Sequence, residues 1–266
     1  MSFVLKVTRY LARTSSGRRT PKNRPSSSRV VGRPRVLVIG IFLAEEPNYI
    51  EELVGVFSGA ADVDVEQRWV CVKGTAPNKA IAAVTVRELH ARAPKWQIVN
   101  ELISTEDVRG FDYVMVCDDD VLLAKDFVDR FIAEQQSVDF ALAQPARTWR
   151  SHTDHPIVRR RLFTRARETN FVEIGPVVSF RRDFMRLVYP FSEESPMGWG
   201  YDLTWPVVAS QDGLAIGIID GVPVDHSLRA RSALYDYREQ VNLMGAYLSK
   251  RPHVRGEDVA VIRTYR

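Results

Sequence analysis

Residues 111 to 120 carry a short apolar run that leads directly into three acids, Asp118, Asp119 and Asp120. Such a run is typical of a strand buried in a parallel sheet, where a charged side chain has no partner. The acids must therefore emerge at the carboxyl end of the strand, which is the edge where open α/β sheets bind ligands. Because side chains alternate along a strand, Asp118 and Asp120 share one side and Asp119 points away.

Two carboxylates on one side of a strand end have two interpretations. They are hard oxygen ligands that suit Mn²⁺ or Mg²⁺ carrying a diphosphate. The alternative is a solvated turn, since Asp is common in turns. Three adjacent acids repel one another and a plain turn needs only one, so the pattern favours a metal site that includes Asp118 and Asp120.

The excess of basic over acidic residues is confined to the start of the chain. The sequence has 266 residues, 45% of them apolar, which is enough for one large α/β domain or two small ones. Residues 1–35 hold ten of the 37 Lys and Arg and no acid, so the remainder has 27 basic against 33 acidic residues. A nucleic-acid-binding body would carry its own basic face, so no specific nucleic-acid partner is expected.

The two cysteines, Cys71 and Cys117, each lie in an apolar strand-like run. This placement predicts buried free thiols in a reducing compartment rather than a disulfide framework. No run approaches the roughly 18 apolar residues of a membrane span. We therefore expect a cytoplasmic protein that is peripheral to a membrane surface.

Residues 1–34 form a basic tail rich in Ser, Arg and Pro, which we expect to be disordered. Within it, residues 3–13 have a basic amphipathic pattern that suits contact with an anionic membrane. The same pattern is also typical of an organelle-import presequence. A leader with accidental periodicity is the third interpretation. Residues 35–250 are expected to form the folded domain, and 251–266 a polar C-terminal tail.

From Arg35 onward the chain alternates between strand and helix patterns. This order predicts an α/β fold, a single domain with a mostly parallel central sheet flanked by helices. The predicted strands are 36–43, 63–72, 112–117, 140–143, 171–180, 215–220 and 222–224. The predicted helices are 47–58, 77–93, 94–103, 124–135, 182–188, 203–210 and 233–250. Residues 145–168, rich in Arg, are predicted to be a mobile functional loop.

The turn at residues 197–202 is a second candidate for chemistry. Gly198 and Gly200 flank Trp199, which allows close backbone approach beside a flat stacking surface. Asp202 stands at the start of the following helix, where its ionised form is favoured and it can act as a general base. The alternative is that Asp202 is a helix N-cap and Trp199 fills the core.

Two further side chains stand at the ends of strands. His226 follows the strand at 222–224 and could complete a metal site with Asp120, although a lone His there is more often structural. Lys79 lies at a strand-to-helix junction suited to phosphate capture, and a solvated helix Lys is equally consistent. The sequence lacks the P-loop, dinucleotide-binding, zinc-protease and serine-hydrolase motifs.

In order, these segments resemble a GT-A glycosyltransferase, in which a strand ends in an Asp-x-Asp motif and a later acid and His follow. The turn at 198–202 is similar to the Trp-Gly-Gly-Glu-Asp turn of galactosyltransferase-type enzymes, with Tyr201 in place of Glu. A closer resemblance is to a largely uncharacterised family of predicted glycosyltransferases found in plants and bacteria, whose plant members carry Asp-Glu-Asp at 118–120. The matching segments are Lys95-Trp96, Phe111-Asp112-Tyr113, Asp118 to Asp120, Ala143 to Ala146, Phe171-Val172-Glu173, Gly198 to Gly200 with Asp202, and Val224 to His226.

The resemblance implies a metal-dependent, inverting transfer of a sugar from a nucleoside diphosphate sugar to a hydroxyl of a glycan or small molecule. It implies Asp118, Asp120 and His226 at the metal, with Asp202 as the base and Glu173 contacting donor or acceptor. Asp118, Asp119, Lys79, Trp199 and Gly200 would bind the donor. Two alternatives use the same residues: a sugar-nucleotide-binding protein without turnover, and a metal-dependent phosphohydrolase or nucleotidyltransferase.

Overall fold

The computed structural model describes residues 32–229 and 236–266. The predictions for residues 1–31, including the amphipathic pattern, lie outside the described residues. No helix in the described part of the chain is long and apolar enough to cross a membrane.

The strands are β1 (Arg35–Leu43), β2 (Asp64–Val72), β3 (Thr85–Leu89), β4 (Tyr113–Asp118), β5 (Phe140–Arg147), β6 (Ala166–Thr169), β7 (Val177–Arg181), β8 (Ala215–Val224) and β9 (Val261–Tyr265). The helices are α1 (Ile50–Ser58), α2 (Lys79–Ala82), α3 (Lys95–Leu102), α4 (Thr105–Gly110), α5 (Phe127–Ser137), α6 (Arg182–Val188), α7 (Tyr201–Gln211) and α8 (Tyr237–Ser249). Short 3-10 turns cover Pro156–Val158 and Gly256–Asp258.

The strands of the described residues form one sheet in the order β3-β2-β1-β4-β7-β5-β8-β6-β9. Seven strands run in the same direction, and β7 and β6 run against them. The predicted mostly parallel α/β sheet is therefore confirmed. Its first half is wholly parallel, so the carboxyl ends of β2, β1 and β4 meet at one edge.

Alternating side chains of the central strands supply two hydrophobic cores, one on each face of the sheet. Val36 and Val38 of β1 pack in the core that α1 and α5 cover. Leu37 and Ile39 face the opposite core, which α3, α6 and α7 cover. This two-residue period is what a strand buried on both faces requires. The predicted buried, free thiols are confirmed for Cys71 and Cys117.

The predicted helix at 77–93 is wrong. Only one helical turn forms, at Lys79–Ala82, and Thr85–Leu89 is a strand that pairs in parallel with β2. β-branched residues in this stretch favour a strand, and the open edge of β2 offers backbone groups that need partners. Tertiary pairing therefore overrides the helical pattern.

The predicted mobile loop at 145–168 is also largely wrong. β5 runs on to Arg147, and Ala166–Thr169 forms the buried strand β6. Arg167 lies in that strand, fully buried, and forms an ion pair with equally buried Asp220. A buried partner acid makes an Arg compatible with a strand interior, and the local sequence does not reveal that partner.

Smaller differences affect the later elements. The strand predicted over 171–180 is shorter, at Val177–Arg181, and the two strands predicted at 215–224 are one continuous β8. Part of the segment expected to be a polar C-terminal tail forms β9, which pairs with β6 at the edge of the sheet. An edge strand needs little apolar burial, so its polar composition resembles that of a tail.

Candidate metal and acid site

The three consecutive acids stand at the carboxyl end of β4, as the sequence predicts. Asp119 is the most buried of them and is fixed by β1: its carboxylate accepts a hydrogen bond of 2.8 Å from the backbone of Leu43. Its backbone oxygen accepts another from Tyr49, at 2.7 Å. Burial raises the pKa of Asp119 to about 6, and Arg229 acts in the opposite direction. Asp119 therefore supports the site rather than facing into it.

Asp118, Asp120 and His226 come together, each offering one ligand atom, with all three atoms within 4.8 Å of one another. Nε2 of His226 lies 3.0 Å from Oδ1 of Asp120. Strands β4 and β8 are separated by β7 and β5, which is three strand spacings of about 4.8 Å. The segments that follow β4 and β8 nevertheless come together beyond the strand ends. The backbones of Leu122 and Asp225 pair there in an isolated bridge.

Cationic side chains surround this cluster. Lys95 Nζ lies 2.5 Å from Oδ1 of Asp118, and Nε of Arg229 lies 3.0 Å from Oδ2 of Asp120. Arg229 also forms an ion pair with Asp119. Burial by itself would raise the pKa of Asp120, but hydrogen bonds from His226 and Arg229 hold it well below its ordinary value. Asp120 is therefore ionised at any physiological pH, as a metal ligand must be.

The donor set fits a divalent cation. Two carboxylates and one imidazole nitrogen converge on one small region, and the second oxygen of Asp118 is free of the Lys95 contact. Space for a ligand beside it depends on Gly175, since a Cβ there would lie 2.9 Å from Asp118 Oδ2. A larger residue at position 175 would press against this oxygen and against Nζ of Lys95.

Arg147 connects the cluster to a second buried acid. Its Nη1 atom lies 3.2 Å from Nδ1 of His226, and its Nη2 atom forms an ion pair with Glu173. The same guanidinium donates to the backbone oxygen of Gly175 at 2.7 Å. Burial raises the pKa of Glu173 to about 7, although Arg147 opposes the shift and the charge of Asp202 adds to it. Near neutral pH, Glu173 can therefore either donate or accept a hydrogen bond.

Asp202 is the second residue of α7, so it is not the N-cap of that helix, a position that Gly200 occupies. Burial raises the pKa of Asp202 to about 6, against hydrogen bonds from backbone amides at the helix start. Its Oδ1 atom is buried and has no hydrogen-bond partner among the described residues. A buried carboxylate oxygen without a partner is costly, so it is a candidate for contact with a ligand.

The turn before α7 depends on glycine. Gly198 has φ +82°, and a Cβ there would lie 2.1 Å from Nε1 of Trp96. Trp96 is the fully buried aromatic of this region, whereas Trp199 is only half-buried and lies edge-on to Tyr237 at 5.3 Å between ring centroids. Trp199 therefore does not fill the core, and part of its ring is accessible.

Lys79 does not join this group. It is exposed at the first residue of the four-residue helix α2, and no hydrogen bond or ion pair within 32–229 and 236–266 links it to the acids. Sequence reasoning missed two cations, Lys95 and Arg229. Lys95 stood in a recognised motif without a role. Arg147 was expected in a mobile loop that closes over the diphosphate or receives the acceptor, whereas it is the last residue of β5. Arg229 gave no local signal.

The fold of this chain is similar to that of known proteins, although its sequence is not. No protein-family description and no curated protein matches the sequence. S. aureus TarS matches with a TM-score of 0.51 at 13% identity, and S. aureus TarS 1-349 in complex with UDP-GlcNAc with 0.50 at 12%, each over 82% of this chain. GalNAc-T7 with UDP, GalNAc and Mn²⁺ matches at 0.48 and 9% over 75% of this chain.

The two TarS structures share the GT-A glycosyltransferase fold with the chain, which is the fold that the sequence motifs predict. The chain spans 44% of the GalNAc-T7 structure, 40% of the first TarS structure and 67% of the second. The likeness extends to the fold alone. The narrower family of predicted glycosyltransferases stays a prediction from the sequence.

Proposed function

We propose that the chain is a glycosyltransferase that moves a sugar from a nucleoside diphosphate sugar to a hydroxyl acceptor, with inversion. The observation that carries the proposal is the convergence of Asp118, Asp120 and His226 at the carboxyl edge of a GT-A-type sheet. Neighbours with this fold include TarS in complex with UDP-GlcNAc, which supports a nucleotide-sugar donor. Residues 35–250 would be the catalytic domain.

Asp118, Asp120 and His226 would hold a divalent cation. Because the set includes an imidazole nitrogen, we expect Mn²⁺ to bind more tightly than Mg²⁺, which prefers an all-oxygen environment. When bound, such an ion supplies positive charge that stabilises the diphosphate of the departing nucleotide.

The chain's own cations would serve the same leaving group. Lys95 and Arg229 already lie against the acids, and both can donate to phosphate oxygens once a donor occupies the cleft. Trp199 offers a half-exposed ring that can stack on a sugar, and Gly200, packed against Tyr247 and Leu248, would hold the turn that carries this ring. Asp119 would keep its role of fixing the metal-binding turn to β1. Lys79, exposed at the first residue of α2, would contact the donor phosphates from outside the acid cluster.

Asp202 would accept the proton of the attacking hydroxyl. Its buried Oδ1 atom without a partner can receive that hydrogen bond, and a pKa of about 6 leaves it ionised at neutral pH. Glu173, with a pKa of about 7, can donate a hydrogen bond to donor or acceptor while Arg147 holds it in place. The rate of transfer should therefore rise with pH through about 6, as Asp202 loses its proton.

The test is a panel of sugar nucleotides with Mn²⁺, scored for release of nucleoside diphosphate. Asp120→Ala should abolish metal-dependent donor binding, measured by calorimetry. Asp202→Asn should retain donor binding and lose at least about 100-fold in transfer, the usual contribution of a general base. Asp126→Asn is the matched control, because Asp126 is an exposed acid before α5 whose one ion-pair partner within 32–229 and 236–266 is Arg130. This substitution should leave both readouts unchanged.

Other products would contradict the proposal. Release of inorganic phosphate or pyrophosphate would assign the acids to a phosphohydrolase or nucleotidyltransferase. Donor binding without consumption, unaffected by Asp202→Asn, would indicate a sugar-nucleotide-binding protein.

A further inference from the structure

A second surface of the molecule exposes large apolar side chains that its own fold does not use. In the turn before β6, Leu162 is 62% exposed and Phe163 is 95% exposed. Phe163 also has φ +56°, in the left-handed region, which is unfavourable for a non-glycine residue. Since an exposed ring gains no burial in return, folding does not explain a Phe at this position.

The turn itself is firmly placed. The backbone of Arg161 donates to buried Asp220 at 2.7 Å, and the backbone of Arg165 donates to Tyr265 at the end of β9 at 2.9 Å. Leu162 and Phe163 are therefore held outward by anchored flanks on both sides.

Basic side chains lie next to this apolar tip. Arg161 and Arg266 are exposed and line, with Leu162, Phe163 and two threonines, a shallow cavity of about 540 Å³. In the described part of the chain, neither guanidinium forms an ion pair with an acid. Residues 36–266 carry more acids than bases, so this positive patch runs against the charge of the rest of the body.

A third large exposed apolar side chain, Trp149, belongs to the same region of the chain. Trp149 is 68% exposed, and the guanidinium of Arg159 lies 5.9 Å from the centre of its ring. Nη1 of Arg159 also donates to the backbone oxygen of Trp149 at 3.2 Å. A tryptophan and an arginine are thus held together at the surface, two residues before the Arg161 turn.

We propose that this surface, formed by Trp149, Arg159, Arg161, Leu162, Phe163 and Arg266, docks on an anionic phospholipid bilayer; we call it the Phe163 surface. Aromatic rings favour the headgroup region, and apolar side chains gain burial below it. Arginines gain from phosphate charge at the same depth. A second copy of the chain would bring two positive patches together, so charge favours the bilayer over self-association.

The Phe163 surface lies on the same edge of the sheet as the acid cluster. The turn precedes β6, whose first residue pairs with Tyr265 at the carboxyl end of β9. From β4 to β6 the sheet order gives four strand spacings of about 4.8 Å. Docking would therefore hold the edge that carries Asp118 and Asp120 close to the lipid. The docking itself does not depend on the proposed catalytic function.

The test is flotation of the full chain with phosphatidylcholine vesicles, with and without phosphatidylglycerol. We expect binding only when phosphatidylglycerol is present. The double substitution Leu162→Ser with Phe163→Ser should weaken it at least about tenfold, since each buried apolar side chain contributes that much or more. Val86→Ser is the matched control: Val86 is 53% exposed on β3, at the opposite end of the sheet, and the substitution should not change binding.

A second readout reports contact directly. Trp69, Trp96 and Trp205 are buried and Trp199 is half-buried, so contact of the Phe163 surface is reported by the part of the quenching by brominated lipid that is lost in Trp149→Phe. We expect that part to be the larger one. If the double variant binds vesicles as well as the original chain, the proposal is overturned and the basic tail at residues 1–34 is the membrane contact. Self-association that the double substitution abolishes, with no vesicle binding, would overturn it in favour of a second copy.

Discussion

At the scale of single residues, two aspartates of the candidate site differ in pKa because their surroundings differ. Asp120 receives hydrogen bonds from His226 and Arg229, which hold its pKa far below the ordinary range. Asp202 has a buried Oδ1 atom and no cationic partner among the described residues, so burial raises its pKa to about 6. One acid is suited to hold a cation and the other to exchange a proton. This division supports the roles proposed for them.

The Asp202→Asn substitution should make the protein more stable at neutral pH. A folded-state pKa raised from 3.8 to about 6 means that the folded state binds the proton more tightly than the unfolded state. The corresponding stability is present in full below about pH 4 and is lost as pH rises through about 6. Above that pH the variant should gain about 1 to 3 kcal/mol in the free energy of unfolding over the original chain.

Urea unfolding at a series of pH values measures this difference. The control Asp126→Asn removes an exposed acid and should give a difference that does not change with pH. A gain that is the same at pH 4 and pH 8 would contradict the burial of the Asp202 charge.

At the scale of elements, the ion pair between Arg167 of β6 and Asp220 of β8 organises the edge of the sheet. Nε of Arg167 lies 2.7 Å and Nη2 3.0 Å from the two carboxylate oxygens, and both side chains are fully buried. The same guanidinium donates to the backbone oxygens of Ile157 and Arg159. One buried pair therefore fixes the segment that leads into the Phe163 surface.

Removal of one partner should be far more damaging than removal of both. Arg167→Met leaves a buried carboxylate without its cation and should lower the free energy of unfolding by about 3 to 5 kcal/mol. The double substitution Arg167→Met with Asp220→Leu should recover part of this loss. Arg130→Met, which breaks the exposed pair with Asp126, should cost at most about 1 kcal/mol. Chemical denaturation of the four proteins measures these values, and a double variant no better than Arg167→Met would contradict the account.

At the scale of the whole molecule, the acid cluster exists only because distant segments cross at one edge of the sheet. Asp120 and His226 are 106 positions apart in sequence, and their side chains meet at 3.0 Å. The crossing depends on the bridge between Leu122 and Asp225, beyond the ends of β4 and β8. A ligand that binds both segments should therefore stabilise the folded chain as a whole.

Mn²⁺ should raise the melting temperature of the protein. A ligand that binds only the folded state at 100 times its dissociation constant adds about 2.7 kcal/mol to the free energy of unfolding. Asp120→Ala should remove the effect, and Mg²⁺ should produce a smaller one. Thermal unfolding with and without chelator measures it. An equal shift in the Asp120→Ala variant would place the ion elsewhere.

Most of the sheet could be predicted from the sequence, because buried strands have long apolar runs with a clear period. β1, β2 and β4 lie within a residue or two of their predicted bounds. β3, β6 and β9 could not be found in this way. β3 and β9 are edge strands with mostly exposed residues. β6 is buried, but it contains Arg167, which pairs with an acid more than fifty positions away.

The sequence by itself determined the buried strands β1, β2 and β4, the position of three acids at a strand end and the glycine turn before Asp202. These features depend on local patterns of burial and backbone freedom. Tertiary structure alone decided that Lys95 and Arg229 meet those acids and that Arg147 meets Glu173, since the three cations come from separate segments. Charge acts through space, so pairing and pKa follow from distances that no single stretch of sequence contains.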